Sequence, residues 1–252
     1  DTRDLVATRE RNTFFRLSAY RERVLALLEA NREFTVEPAT RRNEMLAVLR
    51  EGLQDISISR SRLPWGIPFP GTEDETVYVW FDALINYLSA TGYPNEGWDA
   101  IWPADLHVIG KDIIRFHTVY WPAFLMSAGV EVPHRVFAHG FLTSEGKKMS
   151  KSVGNIVDPH EQLDLYGTDP VRWYCLREIG FGSDGDWGRE KFINRNNSDL
   201  ANNFGNLAQR SLSMIAKNCE GRAPIPGALT EADQAILDQA WALADRSRAA
   251  MK

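Results

Sequence analysis

Cysteine is scarce in this chain: Cys175 and Cys219 are the only two in 252 residues, and neither belongs to a CxxC pair. Such usage cannot build a disulfide framework or a cysteine zinc knuckle, so no metal site is expected, and it fits the reducing cytoplasm. Long apolar runs are missing too. No stretch approaches the roughly 18 residues that span a bilayer, so no membrane partner is expected. The opening Asp1–Arg11 is charged and has no signal-peptide pattern. Nor is there an excess of positive charge. A net charge of −5 excludes a protein that coats nucleic acid non-specifically, though not one that grips RNA through local basic patches. With 44% hydrophobic and 25% charged residues, the chain falls outside the disordered, collagenous and fibrous classes. Tryptophan, by contrast, is abundant. Eight of them imply a heavy core or a pocket with aromatic walls.

The first sixty residues read as two amphipathic helices. One carries Phe14, Leu17, Val24, Leu25 and Leu28, with Thr13 as N-cap; the other runs from about Arg41 to Glu51 between Thr40 and Gly52. A strand is expected over Asp55–Arg60, then an extended connector at Pro64, Pro68 and Pro70. Thr76–Trp80, Leu106–Ile109 and Arg135–Leu142 are β-rich. The first two lead into helices, over Asp82–Ala90 and about Ile113–Met126. Strand, tight turn and helix in alternation predict an α/β domain with a largely parallel sheet. Ligands bind such sheets at the carboxyl ends of the strands. That rule gathers the Trp80–Asp82 turn, the Gly110–Asp112 turn and the segment after Leu142 at one crevice. Beyond Asp158 the chain turns helical. Asp158-Pro159 and Asp169-Pro170 read as N-cap plus proline, and long helices are expected over about Arg189–Asn218 and from Thr230 onward.

Chemistry concentrates in Gly146-Lys-Lys-Met-Ser-Lys-Ser-Val-Gly154, directly after a predicted strand. Lysines offer mobile point charges, serines add donors, and glycines let such a loop close over a phosphate chain. On charge alone, a solvated basic surface loop explains it better. Ile113, Phe116, His117 and Trp121 fall on one face of a regular helix, and periodicity alone makes that face core. Asp112 reads as an N-cap ahead of Ile113. Asn206 and Arg210, four apart, share a face, where a polar surface is the simpler reading.

The order of residues changes these readings. Lys148-Met149-Ser150-Lys151-Ser152 is letter for letter the KMSKS signature of class I aminoacyl-tRNA synthetases. Tyr78-Val-Trp-Phe-Asp-Ala-Leu-Ile-Asn-Tyr87, His107-Val-Ile-Gly-Lys-Asp-Ile-Ile-Arg-Phe-His117 and Asn206-Leu-Ala-Gln-Arg210 resemble the methionyl-tRNA synthetase family. The resemblance covers nearly the whole chain. It implies the C-terminal half of a Rossmann-like parallel-sheet catalytic domain followed by an α-helical bundle. The implied divisions are the end of an inserted connective domain (1–60), the catalytic half (61–157), stem-contact helices (158–188) and the start of an anticodon-binding bundle (189–252). It implies ATP, Mg²⁺ carried with ATP, methionine and tRNA(Met) as cofactors and partners. Catalysis would fall to Lys148, Ser150, Lys151 and Ser152. ATP would meet Gly110, Asp112, His139, Leu142 and Lys151. The methionine side chain would meet Trp80, Ala83, Leu84, Tyr87, Ile113, Phe116, His117 and Trp121. A thioether suits such rings, because sulfur–aromatic contacts are worth ~0.3–1.5 kcal/mol. Asn206 and Arg210 would read the anticodon. The family's HIGH-type ATP motif does not occur in the sequence, so it is expected in a preceding segment of a longer protein. Without such a segment, the alternative is a non-catalytic tRNA-binding or accessory module on the same scaffold.

Overall fold

The computed structural model describes residues 10–61, 63 and 65–251, and its contacts divide the chain at Arg189/Glu190. The expectations for residues 1–9 and for Pro64 lie outside the described residues.

The first unit opens with strand β1 (Phe14–Phe15), a 3₁₀ turn (Leu17–Tyr20) and helix α1 (Arg21–Ala30). Thr13 is therefore no helix cap. Its N–H donates to Ser59 Oγ at 2.7 Å and its hydroxyl to Glu75 Oε2 at 3.1 Å. These partners lie far along the chain, beyond the reach of any local helical pattern. The short strand β2 (Thr35–Glu37) was not expected from the sequence. Helix α2 (Ala39–Glu51) starts earlier than expected, which puts Thr40 inside its first turn, and it ends at Gly52 with φ 118°. The strand expected over Asp55–Arg60 splits at Ile58 into β3 (Ile56–Ser57) and β4 (Ser59–Arg60). β3 pairs antiparallel with β1, and β4 pairs antiparallel with β5 (Thr76–Val77). Val79 and Trp80 belong to helix α3 (Val79–Ser89), not to a strand. The Trp80–Asp82 segment is thus a first helical turn, outside the parallel sheet.

The parallel sheet has the order β2-β7-β6, with β6 at His107–Gly110 and β7 at Arg135–His139. Val36, Ile109, Val136 and Ala138 from its strands join Val24 and Leu28 of α1 and Met45 and Leu49 of α2 in one buried cluster. Between β6 and β7 the chain coils continuously but changes pitch. A 3₁₀ turn (Lys111–Ile113) leads into a π turn (Phe116–Tyr120) and then helix α4 (Trp121–Ala128). The single-face expectation for Ile113, Phe116, His117 and Trp121 fails in part here, because wider turns rotate later residues away from a 3.6-residue period. Ile113 packs against the sheet cluster, whereas Phe116 and Trp121 join a second cluster with Leu84, Leu88, Trp102 and Phe124.

Arg135–Leu142, expected as one strand, breaks at Gly140-Phe141. β7 stays in the main sheet, and β8 (Leu142–Ser144) starts another, of order β10-β8-β9, with β9 at Lys147–Lys148 and β10 at Gly185–Trp187. Helices α5 (Pro159–Tyr166) and α6 (Thr168–Glu178) fill the excursion between β9 and β10. Asp158 caps α5 as expected, its carboxylate accepting the His160 N–H at 2.7 Å. Asp169 does not cap α6, which begins one residue before it. From the last residue of the first unit onward, α7 (Arg189–Asn196), a π stretch (Asn197–Gly205) and α8 (Asn206–Asn218) make one helical run. Its wide middle coincides with the asparagine-rich residues, which are poor helix formers. Helix α9 (Glu231–Ala250) starts at a capping box between Thr230 and Asp233.

The break after β7 rests on a backbone approach. A Cβ placed on Gly140 would lie 2.3 Å from the Ser183 carbonyl carbon and oxygen and 2.5 Å from the Asp184 nitrogen. Backbone cannot swing aside as a side chain can. Gly140→Ala should therefore cost about 2–3 kcal/mol or more, lowering Tm by roughly 4–10 °C. Gly227→Ala, with nothing within 4 Å of its new Cβ, should leave Tm unchanged. Thermal unfolding of the two variants checks this, and equal Tm values would contradict it.

Candidate active site

Two clusters carry the sequence-predicted residues of the first unit. The first is the hairpin β8–β9. Its turn is Glu145-Gly146 with φ of 50° and 74°, the left-handed pair that suits a two-residue hairpin. Strand β10 fastens this turn from the side. Asp186 Oδ1 accepts from the Thr143 hydroxyl and the Gly146 N–H, both at 2.7 Å, and the Glu145 N–H donates to the Trp187 carbonyl at 2.9 Å. The Tyr174 hydroxyl of α6 donates to the Asp186 carbonyl at 2.7 Å.

Past β9 the motif folds into a compact turn in which the Ser150 carbonyl accepts from the N–H groups of Val153 and Gly154. Asn155 buckles its base. Its Oδ1 accepts the Ser150 N–H at 2.8 Å while its Nδ2 donates to the Lys148 carbonyl at 3.0 Å. The hydroxyls of Ser150 and Ser152 lie 2.8 Å apart. Lys148 and Lys151 are exposed, with Lys151 on the turn itself. The arrangement is a held loop presenting free ammonium groups and paired hydroxyls, which is what a polyphosphate requires.

At the carboxyl end of β6, Gly110 lets the chain turn beside a carboxylate: a Cβ there would meet Asp112 Oδ1 at 2.8 Å and the Phe141 ring at 3.5 Å. Asp112 sits within the 3₁₀ turn, where no side-chain cap bond forms, so it is an exposed carboxylate instead of the expected N-cap. His139 ends β7, exposed, with Nδ1 donating to the Gly140 carbonyl at 2.8 Å. Leu142 is exposed at the start of β8, in register with Gly185. Lys111 is committed elsewhere: its Nζ lies 2.6 Å from Asp184 Oδ2. That bond, with the Phe141 N–H on the other oxygen, holds the Asp184 carboxyl below the usual carboxylate range.

The second cluster lies where α3 meets the pitch-changing helix. The Trp80 and Phe116 rings stack at 3.8 Å and 15°. Leu84, His117 and Trp121 are buried, whereas Trp80, Ala83, Tyr87, Ile113 and Phe116 are half-buried. His117 Nδ1 donates to the Ile113 carbonyl at 2.9 Å, and Thr118 donates likewise to the Ile114 carbonyl. Such bonds back to the preceding turn accompany a distorted helix. With its proton on Nδ1, His117 accepts at Nε2 from the Tyr87 hydroxyl, 2.8 Å away. A second imidazole, His107, accepts the Trp121 indole N–H at 3.3 Å. Burial lowers the proton affinity of both rings: His107 falls from 6.5 to about 4, helped by His117, and His117 also falls. Both are neutral at pH 7. The unfolded chain takes up protons near 6.5 and the folded one resists, so stability declines as pH falls from about 6.5 toward 4. Burial also raises the Tyr87 hydroxyl above its ordinary value.

An apolar cavity of about 280 Å³ lies beside this cluster, lined by Phe15, Ile58, Phe81, Ile85, Tyr93 and Trp121 among others. It shares Trp121 with the predicted pocket but lacks Trp80, Tyr87 and His117. Sequence reasoning missed His107, Asn155, Asp184 and Asp186, although His107 opens one of the quoted motifs. In the second unit, Asn206 and Arg210 are both exposed on α8, one helical turn apart.

Residues 2–212 match the family model described as tRNA synthetases class I (M). A methionine–tRNA ligase of Brucella suis is 58% identical over 96% of this chain and 47% of its own length. That of Mycobacterium tuberculosis is 55% identical, with 96% and 47% covered. The crystal structure of M. tuberculosis methionyl-tRNA synthetase bound by methionyl-adenylate superimposes with a TM-score of 0.82 at 55% identity, covering 96% of this chain and 48% of that one. The apo form gives 0.79. The chain thus spans about half the length of the curated relatives it matches. By the extent of the family match, the chain belongs to the class I tRNA synthetases of the methionyl type.

Proposed function

We propose that the protein containing this chain activates methionine with ATP and transfers the product to tRNA(Met). A methionine carboxylate oxygen attacks the α-phosphorus, the bond to the β-phosphate breaks, and methionyl-adenylate forms as pyrophosphate leaves. The methionyl group then passes to the terminal adenosine of the tRNA, releasing AMP. The observation that carries this reading is the KMSKS turn, fastened by Asn155 and β10, in a chain 55% identical to a synthetase whose solved structure holds methionyl-adenylate.

In this reading Lys151, with Lys148, Ser150 and Ser152, faces the triphosphate and stabilises charge that shifts onto the leaving pyrophosphate. Gly110 allows close approach of the adenosine, Asp112 accepts from ribose hydroxyls, and His139 and the Leu142 backbone flank the adenine. Trp80, Ala83, Leu84, Tyr87, Phe116, His117 and Trp121 wall the methionine side chain, with Ile113 at the margin where it leans toward the sheet cluster. Asn206 and Arg210 meet anticodon bases by amide bonding and guanidinium stacking. Mg²⁺ enters bound to ATP. Among the described residues no group of three or more His, Cys, Asp or Glu side chains is placed to hold a metal. No helix among the described residues is long and apolar enough to cross a membrane, and the cytoplasm is the proposed compartment.

Two substitutions in the full-length protein separate the clusters. Lys151→Ala should lower ATP–pyrophosphate exchange by about 10²-fold, the scale of a lost transition-state donor, with the KM for methionine nearly unchanged. Exchange at the unsubstituted rate would refute the triphosphate role. Trp121→Ala should do the reverse, raising the KM for methionine far more than that for ATP. It should also relax rejection of leucine and norleucine, since an apolar pocket separates side chains one methylene apart by only ~1–3 kcal/mol. An equal loss for all three amino acids would make this face plain core.

A further inference from the structure

His107 is an odd residue to bury. It is 6% exposed at the start of β6, among the rings of Tyr87, Trp102 and His117, and burial keeps its ring neutral. Packing alone would be served better by leucine or phenylalanine. The imidazole does something neither could do: its Nε2 accepts the indole N–H of Trp121, a residue 1% exposed whose donor no water reaches. Its ring also lies 4.3 Å from that of Tyr87, tilted by 34°, so Tyr87 rests on it while pointing its hydroxyl at His117. Trp102, the other buried indole nearby, has its own acceptor in the Glu131 carbonyl at 2.8 Å. His107 therefore touches both Trp121 and Tyr87 from the side of the sheet.

We propose that His107 is a positioning residue for amino-acid recognition: by accepting the Trp121 indole N–H and backing the Tyr87 ring, it fixes the two side chains that bound the methionine thioether. The inference rests on the functional reading given above. It ties pocket geometry to strand β6, whose carboxyl end carries the Gly110 turn, so the amino-acid and nucleotide sides of the site share one rigid strand. The titratable groups facing His107 are His117, at 6.2 Å between ring centres, and Tyr87.

The test uses the full-length enzyme with His107→Leu, His107→Gln and Trp121→Phe, read by ATP–pyrophosphate exchange. His107→Leu should raise the KM for methionine about tenfold, the scale of one unmet buried donor, with kcat and the KM for ATP changed far less. His107→Gln should recover most of the loss, because a carboxamide oxygen can accept the indole N–H. In a Trp121→Phe background, where the donor is gone, His107→Leu should add little. A second readout is Tm between pH 7 and pH 5. The unsubstituted protein should lose more than His107→Gln over this range, because only it carries the buried ring that resists protonation. An unchanged methionine KM in His107→Leu, or glutamine no better than leucine, overturns the inference. Should His107→Leu fail to fold, His107→Gln against Trp121→Phe still decides: a glutamine variant as impaired as the phenylalanine one overturns it. Absence of methionine-dependent exchange in the unsubstituted enzyme overturns the functional reading as well, which distinguishes the two failures.

Discussion

The close passage of two backbones at Gly140 is the constraint on which the rest of the site depends. Only a residue without Cβ lets the chain leaving β7 come against Ser183 and Asp184. Once there, Asp184 binds in two directions, to the Phe141 N–H and to Lys111 in the turn after β6. The next residues then form β10 beside β8. Asp186 on that strand closes the hairpin turn from which the KMSKS loop departs. One tight approach thus links the Gly110 turn to the lysine loop, although a long helical excursion separates β9 from β10 in sequence. The exposed Asp184–Lys111 pair contributes little stability by charge alone; its value is in where it holds the chain.

Local chemistry was legible in the sequence in part, and distant pairing was not. Asp158 before Pro159 and Gly52 after α2 are capping signals that the structure keeps, whereas Thr40, Asp169 and Asp112, read in the same way, cap nothing because their helical turns begin at other residues. The parallel pair β6–β7 followed from two β-rich runs with a helix between. Thr13 and Phe14 were misread because their partners, Ser59, Glu75 and β3, lie over forty residues away. Three residues of β2 carry too short a pattern to announce a strand; they exist because β7 offers them hydrogen bonds. Both π turns broke the assumption of a constant period. The same limit explains the missed site residues. Asn155, Asp184, Asp186 and His107 act by holding other groups, and nothing in their own neighbourhood declares which groups those are.

The two clusters solve opposite electrostatic problems. Around Trp121 the structure removes charge: two imidazoles are kept neutral, each with a hydrogen bond that fixes its proton on Nδ1. In the function proposed above, an apolar thioether would be met there by rings and by polar edges that need no counter-ion. At the KMSKS turn the charge is kept in water. Exposed ammonium groups retain their hydration until an anion replaces it, so they bind weakly to anything that is not highly charged. The framework beneath them is nevertheless tied down, with Asn155 satisfying one donor and one acceptor of the loop backbone at once. Mobile charge on a fixed base suits a group whose charge moves during reaction.

Several apolar faces stand open. Val108 on β6 is 61% exposed, although parallel sheets are ordinarily covered on both sides. On the second unit, Leu207, Leu212 and Met214 of α8 and Trp241 of α9 are exposed as well. An amphipathic helix draws most of its stability from burying such a stripe. Curated relatives are about twice as long as the matched segment, which is ample chain to cover these surfaces. Within the first unit, the backbone of the KMSKS turn and the Tyr87–His117 pair are already held without such cover, by hydrogen bonds of their own. The apolar cavity beside Trp121 is separate from those bonds. It is lined largely by rings and aliphatic groups, while the hydrogen-bonded pair Tyr87 and His117 is not part of its lining.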